Sequence, residues 1–313
     1  MAFVRMPDDY TKTTKKGLVE RSRGRQNEDR GELPFQPIYG FRKGRSGSGG
    51  LLCYARMYGL MRALSRLSFN SLLDVGAAEG YTAYVAKELF GAEVVCCDFL
   101  ELFCSKSKRI FNIQSAPADI HCLPFKDKAF DVVVCTSTLE HVQDPRKAVS
   151  ELMRVSARAV LLTVPHERKK LTDKNLKNLV PHGHVHSFKL DSLDYLRKEG
   201  WSVTSQKLFG LLLNPVPALV PDVVVHHEGQ SAHASACVSA LRRVRNALLP
   251  VIARVVSPRT EAWLVELDSH LCRFSPIYGE ILFLIVKDKG AGVRGPLPKV
   301  SASRIMNTGV PFG

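Results

Sequence analysis

The sequence predicts an α/β protein built on a doubly wound, mostly parallel sheet with helices on both faces. An N-terminal helix precedes that core, and a helical cap is inserted before the last strand. Three observations carry the prediction. Short apolar runs alternate with segments of helical spacing from about residue 70 to residue 210. The runs are continuously apolar rather than alternating, as strands covered on both faces must be. A last strong apolar run, "YGEILFLIVKD", follows a gap of about 70 residues that is too long for a simple connection.

Each element can be justified in order. Residues 1–50 are basic and end in "GRSGSGG", the composition of a flexible segment. "LLCYARMYGLMRALSRL" (51–67) has apolar residues at helical spacing with arginines between them, and reads as the N-terminal helix. Then "SLLDV" is a strand and "GYTAYVAKELFG" a helix stopped by Gly91. "AEVVCCD" and "LELFCSKSKRIF" repeat the strand and helix, as do "FDVVVCT" and "DPRKAVSELMRV". "RAVLLTVP" is a further strand, and "SLDYLRKEGWSVTSQKLFG" a helix and strand. The domain reading is therefore a core over 51–210, a cap over 211–279, a final core strand over 280–288 and a disordered tail over 289–313. Within the cap, "SALRRVRNALLPVIARVV" gathers Leu241, Val244, Leu248, Val251, Ile252 and Val255 on one face, with a kink expected at Pro250.

Composition narrows the class. With 313 residues, 45% of them hydrophobic, the chain can bury a sizeable core. No run of about 18 apolar residues is present, so no transmembrane span is expected, although the basic cap helix could touch a membrane surface. The N-terminus has no apolar core segment and does not read as a secretory signal. The eight cysteines have no CxxC pair, and several lie inside apolar strands, which fits a reduced cytoplasmic protein. The net charge of +14 is compatible with nucleic acid, but no nucleic-acid motif accompanies it. Oligomeric state is not legible.

The densest signal is "LLDVGAAEGYTAYVA", where Asp74, Gly76 and Gly80 stand between a buried strand and a helix. A glycine-rich turn there lets a cofactor approach the backbone and the helix N-terminus. The order is DxGxxxG, not the GxGxxG of nicotinamide enzymes. This turn resembles motif I of the class I S-adenosylmethionine-dependent methyltransferases, a Rossmann-like family. Asp98, "APADIHCLPFKDKAFDVVVCTSTLEHVQDP" and "PHGHVHSFKLDSLDYLRKEGW" resemble later stretches of its type 11 group, in order. The resemblance implies S-adenosylmethionine as cofactor, with Asp74, Gly76, Ala77 and Gly80 around its methionine portion. It places Asp98 and Phe99 at the ribose, Asp119 and Ile120 at the adenine, and Thr136 in the loop over the methionine end. Asp131 opens the strand before that loop. Ala78 departs from the family, many members of which have glycine there.

His141 is the candidate general base, since a neutral imidazole can accept a proton near neutral pH. His182, His184 and His186 alternate, as if on a strand. His184 and His186 are read as acceptor-side residues, and no metal is expected because no neighbouring acid completes a ligand set. Glu79 is either near the methionine end or a solvated helix start. The expected function is methyl transfer from S-adenosylmethionine to a small-molecule or carbohydrate/lipid-type acceptor. The alternatives are an RNA or protein methyltransferase, or a catalytically inactive member that only binds the cofactor.

Overall fold

The computed structural model describes residues 48–178, 180, 182–210, 212–213, 258–287 and 300–308, with residues 12, 16, 17, 19, 26, 27, 31 and 32. The helix expected over 239–256 and most of the basic N-terminal segment lie outside the described residues. In chain order the core is α1 (Ser48–Leu64), β1 (Ser71–Val75), α2 (Tyr81–Phe90), β2 (Glu93–Asp98), α3 (Glu101–Phe111), β3 (Gln114–Pro117), β4 (Phe130–Thr136), α4 (Pro145–Val155) and β5 (Ser156–Pro165). It continues through α5 (Lys169–Lys177), α6 (Tyr195–Lys198), β6 (Ser202–Leu208), α7 (Pro258–Leu271), β7 (Glu280–Val286) and α8 (Ala302–Met306).

The strands form one seven-stranded sheet in the order β3-β2-β1-β4-β5-β7-β6. The first five are parallel, and β7 runs antiparallel between β5 and β6. The doubly wound expectation is therefore met, and the winding reverses between β1 and β4. In such sheets the crevice at that reversal, beyond the carboxyl ends of the strands, is where ligands bind.

Period-two alternation splits the apolar side chains between the faces. Leu72, Val132, Val134, Leu161 and Leu282 face one core, closed by α1, α2, α7 and α8 through residues such as Leu60, Met61, Val85, Val265 and Ile305. Leu73, Val133, Val160, Leu162 and Phe283 face the other, where Leu152 of α4 and Leu196 of α6 pack. Burial on both faces is why these strands read as unbroken apolar runs.

Two expectations change. Strand β3 was not separable from the polar stretch that follows it: "QSAP" is short and half-exposed at the sheet edge, so it carries no apolar run. The tail expected to be disordered over 289–313 contains α8. Ser301 caps that helix by accepting from Arg304 N–H, Glu266 of α7 accepts the Ala302 N–H at 2.8 Å, and Ile305 and Met306 are buried.

Candidate functional site

The carboxyl ends of β1 and β2 form one wall of the crevice. β1 delivers Asp74 and then Gly76, whose φ of +71° lies in the left-handed region that favours glycine. A Cβ on Gly76 would stand 2.3 Å from Thr138 Oγ1, so the loop after β4 closes directly over this turn. Asp74 is fully buried, neither carboxylate oxygen makes a short, well-aligned hydrogen bond, and the Ala83 amide is the backbone group near enough to favour its charged form. Burial pushes its carboxyl up to about 7, countered weakly by the Ala83 amide and reinforced by the Asp98 charge.

Asp98 closes β2 and ties the turn in place. Its Oδ2 accepts the Ala78 N–H and its Oδ1 the Leu100 N–H, each at 2.9 Å. Burial raises its carboxyl to about 6, and those amides oppose the rise. Each oxygen retains a lone pair for a hydroxyl donor. Ala77 is buried and donates its N–H to the Cys97 carbonyl, while Phe99 packs against Ala78, Leu100 and Phe103. Ala78 itself has φ +47°, the conformation for which glycine is the easier residue.

Gly80 packs closely on the inside of the turn. A Cβ there would meet Ser107 Oγ and lie 3.2 Å from Cys96 Sγ, so its bare α-carbon lets α3 and β2 approach. It also allows α2 to begin at φ +83° close against the sheet. Glu79 is not a solvated helix start: it is fully buried, 3.9 Å from the buried Lys106 ammonium.

Farther along the crevice, Asp119 is held by His121, whose backbone N–H and Nδ1 approach Asp119 Oδ1 at 2.9 and 2.7 Å. That hydrogen bond keeps the Asp119 carboxyl below its ordinary range. Asp119, His121, Gln143, Asp144 and Lys147 line a small surface pocket. Ile120 is buried beneath it in the core. Thr136 ends β4, and its carbonyl accepts the Thr138 hydroxyl at 3.1 Å. Asp131 lies at the opposite end of β4, where it accepts the Asn70 N–H and pairs with Arg158.

The other wall is assembled from separate segments. The loop after β4 brings Glu140 and His141, the loop after β5 brings Glu167, and residues 182–186 cross over them. His141 Nδ1 lies 3.0 Å from the Gly183 carbonyl, to which a protonated Nδ1 would donate, and Nε2 lies 3.9 Å from Glu140 Oε1. The His182 ring stacks on His141 at 3.9 Å, and His184 meets it edge-on at 4.7 Å. His184 Nδ1 is 2.8 Å from Glu167 Oε1. Glu140 is 1% exposed with Oε2 unpaired, and burial raises its carboxyl well above the usual range, helped by Glu280. Arg56 of α1 grips Glu280 at 2.6 and 2.8 Å behind this group.

Residues 182–186 do not form the strand that alternation suggested. His182 has φ +52° in a turn, and the three rings diverge. His186 is buried and its Nε2 lies 2.8 Å from the Val142 carbonyl, so it pins two loops together rather than lining the acceptor side. The acids judged missing around the histidines are present: Glu140 and Glu167 come from other loops. They, Thr138 and the Arg56–Glu280 pair escaped sequence reading because only folding brings them together. The dipeptide Glu140-His141 was the one local hint.

Residues 73–162 match the family described as a methyltransferase domain. A demethylmenaquinone methyltransferase from Clavibacter sepedonicus is 35% identical over 98 residues, 30% of this chain and 40% of that relative. Norajmaline N-methyltransferase from Rauvolfia serpentina is 30% identical over 121 residues, 34% of this chain and 40% of that protein. The chain thus spans about two fifths of the length of these relatives. Among solved structures, the cyclase SpnF superposes with a TM-score of 0.50 at 15% identity, covering 92% of this chain and 100% of that one, which shows the fold alone. With the turn at Asp74–Gly80, the carboxylate closing β2 and the sheet order all in place, residues 73–162 are similar to the methyltransferase domain of the class I S-adenosylmethionine-dependent family.

Proposed function

We propose that this chain transfers a methyl group from S-adenosylmethionine to a small-molecule acceptor. The observation that carries the reading is the pairing of the glycine turn with Asp98: an acid whose two oxygens organise the turn backbone and keep a lone pair each toward the crevice. The buried oxygens of Asp74 beneath that turn, without a short, well-aligned hydrogen bond, fit a polar group bound above it. When bound, the cofactor supplies an electrophilic sulfonium methyl. Asp98 and Phe99 would hold its ribose, Gly76 and Ala77 its methionine portion, and Asp119 and Ile120 its adenine. Thr136 and Thr138 would close the loop over the donor. The chain's own contribution is alignment of the acceptor for in-line attack and exclusion of water.

His141, held through Nδ1 at the Gly183 carbonyl, would be the residue that accepts a proton from a hydroxyl or amine. Both relatives named above are called after discrete small molecules, which supports an acceptor of that size. A carbohydrate- or lipid-type acceptor and a cytoplasmic setting belong to the same reading. Among the described residues, no helix is long and apolar enough to cross a membrane. The test is calorimetry with S-adenosylmethionine, followed by a metabolite screen with methyl-labelled donor. Absence of donor binding by the folded chain would end the proposal.

A further inference from the structure

We propose that Glu140, His141 and His184 bind one divalent transition-metal ion, with Glu167 supporting His184. One ligand atom from each of the three lies within 4.8 Å of the others. Around a tetrahedral ion at about 2.1 Å, ligand atoms stand about 3.4 Å apart, so a modest contraction closes the set.

Three independent features point to an ion rather than to a packed polar cluster. The first is the orientation of His141. Its Nδ1 lies 3.0 Å from the Gly183 carbonyl and its Nε2 3.9 Å from Glu140 Oε1, so the ring is turned with Nε2 toward the acid. A ligating histidine is held this way by an outer acceptor. The second is Glu167, whose Oε1 stands 2.8 Å from His184 Nδ1, the carboxylate–histidine pairing that orients a ligand ring. The third is Glu140, whose Oε2 is buried with no hydrogen-bond partner. A buried carboxylate left in that state is costly unless a cation completes it.

The set is also rigid before any ion arrives. The Glu140 carbonyl accepts Val185 N–H at 2.9 Å, Asn175 Nδ2 donates to the His184 carbonyl at 3.0 Å, and His186 bonds Val142. These bonds stitch the two ligand-bearing loops together. Stacking of His182 on His141 fixes the ring plane.

Two imidazoles with one carboxylate suit a borderline ion such as Zn(II), Mn(II), Fe(II) or Co(II) better than Mg(II) or Ca(II), which prefer all-oxygen shells. Three protein ligands leave a position open. The ligand class for that position is an oxygen-bearing acceptor, a statement that rests on the methyl-transfer reading because Thr138 of the same loop lies over the donor turn.

The experiment titrates metal-stripped, tag-free full-length chain with Zn(II) by calorimetry and with Co(II) by visible absorption. One ion per chain and cobalt d–d bands are expected. Glu140→Gln should bind Zn(II) at least about 10-fold more weakly, while its thermal midpoint matches or exceeds that of the wild type, because an unpaired buried carboxylate has been removed. His184→Ala should weaken binding likewise. No stoichiometric binding by the wild type, or unchanged binding by Glu140→Gln, overturns the site. S-adenosylmethionine titrations in parallel separate the two readings: donor binding without metal binding removes the ion alone, and metal binding without donor binding leaves the ion in place and removes the methyl-transfer proposal.

Discussion

The two walls of the crevice are built in opposite ways. The wall at β1 and β2 comes from one contiguous turn and one strand end, and the acid that closes β2, Asp98, is held by backbone amides. The wall beyond β4 and β5 comes from loops and strand ends far apart in sequence, and its acids rely on histidines and an arginine for company. A site made of backbone tolerates little change in shape, whereas one made of side chains can change its chemistry by single replacements. This division matches a domain whose donor is shared by a family and whose acceptor is not.

The sharpest way to break the comparison is at Gly76. Gly76→Val should abolish detectable donor binding, because a side chain at φ +71° is strained and its Cβ meets Thr138. Circular dichroism would show a folded chain and calorimetry no binding. Normal affinity in that variant would mean the turn is not the donor wall.

On the other wall, His141→Ala should lower kcat by about 100-fold with donor affinity nearly unchanged. The accompanying readouts divide its two uses. If His141 accepts the proton, the variant's pH–rate profile loses a group titrating near neutrality; if it is a ligand, bound Zn(II) is lost with the activity. A wild-type kcat excludes the base, and unchanged Zn(II) binding excludes the ligand.

Asp98→Ala should weaken the donor by about 1.5–3 kcal/mol, the range for hydrogen bonds to a charged group. Two amides also lose their acceptor, so the thermal midpoint should fall as well. Unchanged affinity in a folded variant removes Asp98 from the donor site.

A gentler probe is pH. The Asp98 carboxyl is raised from 3.8 to about 6, so its contribution to folding is fully present below about 4 and is lost as pH rises through about 6. Hydroxyl donors favour the ionised form. Donor affinity should therefore rise about 10-fold between pH 5 and pH 7, following the ionised fraction. A flat profile across that interval would contradict hydroxyl binding to the carboxylate.

The smallest effect is expected at Ala78. Glycine removes left-handed strain of roughly 1–2 kcal/mol but adds chain entropy to the unfolded state. Ala78→Gly should stabilise by about 1 kcal/mol or less, read as a small rise in thermal midpoint with unchanged donor affinity. Clear destabilisation would show that Ala78 is held by packing rather than tolerated in a turn.

These residues also mark what the sequence could carry. The sheet was legible because strands buried on both faces are unbroken apolar runs, and the glycine turn after β1 because DxGxxxG is contiguous. β3 was not, since an edge strand of Gln114–Pro117 has no apolar signature. The inward packing of Gly80 against Ser107 and Cys96 is not legible either, because a motif records spacing, not which way an absent side chain would point. The Glu140–His141–His184 group was hidden for a different reason. Glu167 and His184 are 17 positions apart, and no periodicity links them to Glu140. The tail looked structureless because five helical residues are too few to announce themselves; α8 exists by docking, not by propensity.

That docking has a consequence for how the two ends of the chain depend on each other. α8 packs against both α1 and α7, and α1 carries Arg56 to Glu280 behind the acceptor wall. Cleavage between Lys287 and Ser301 would release a short clasp far from the crevice, yet loosen the helix that neutralises its rear. The acceptor wall should then become protease-sensitive before the donor wall does, so that loss of α8 is felt first where the reaction partner would be chosen.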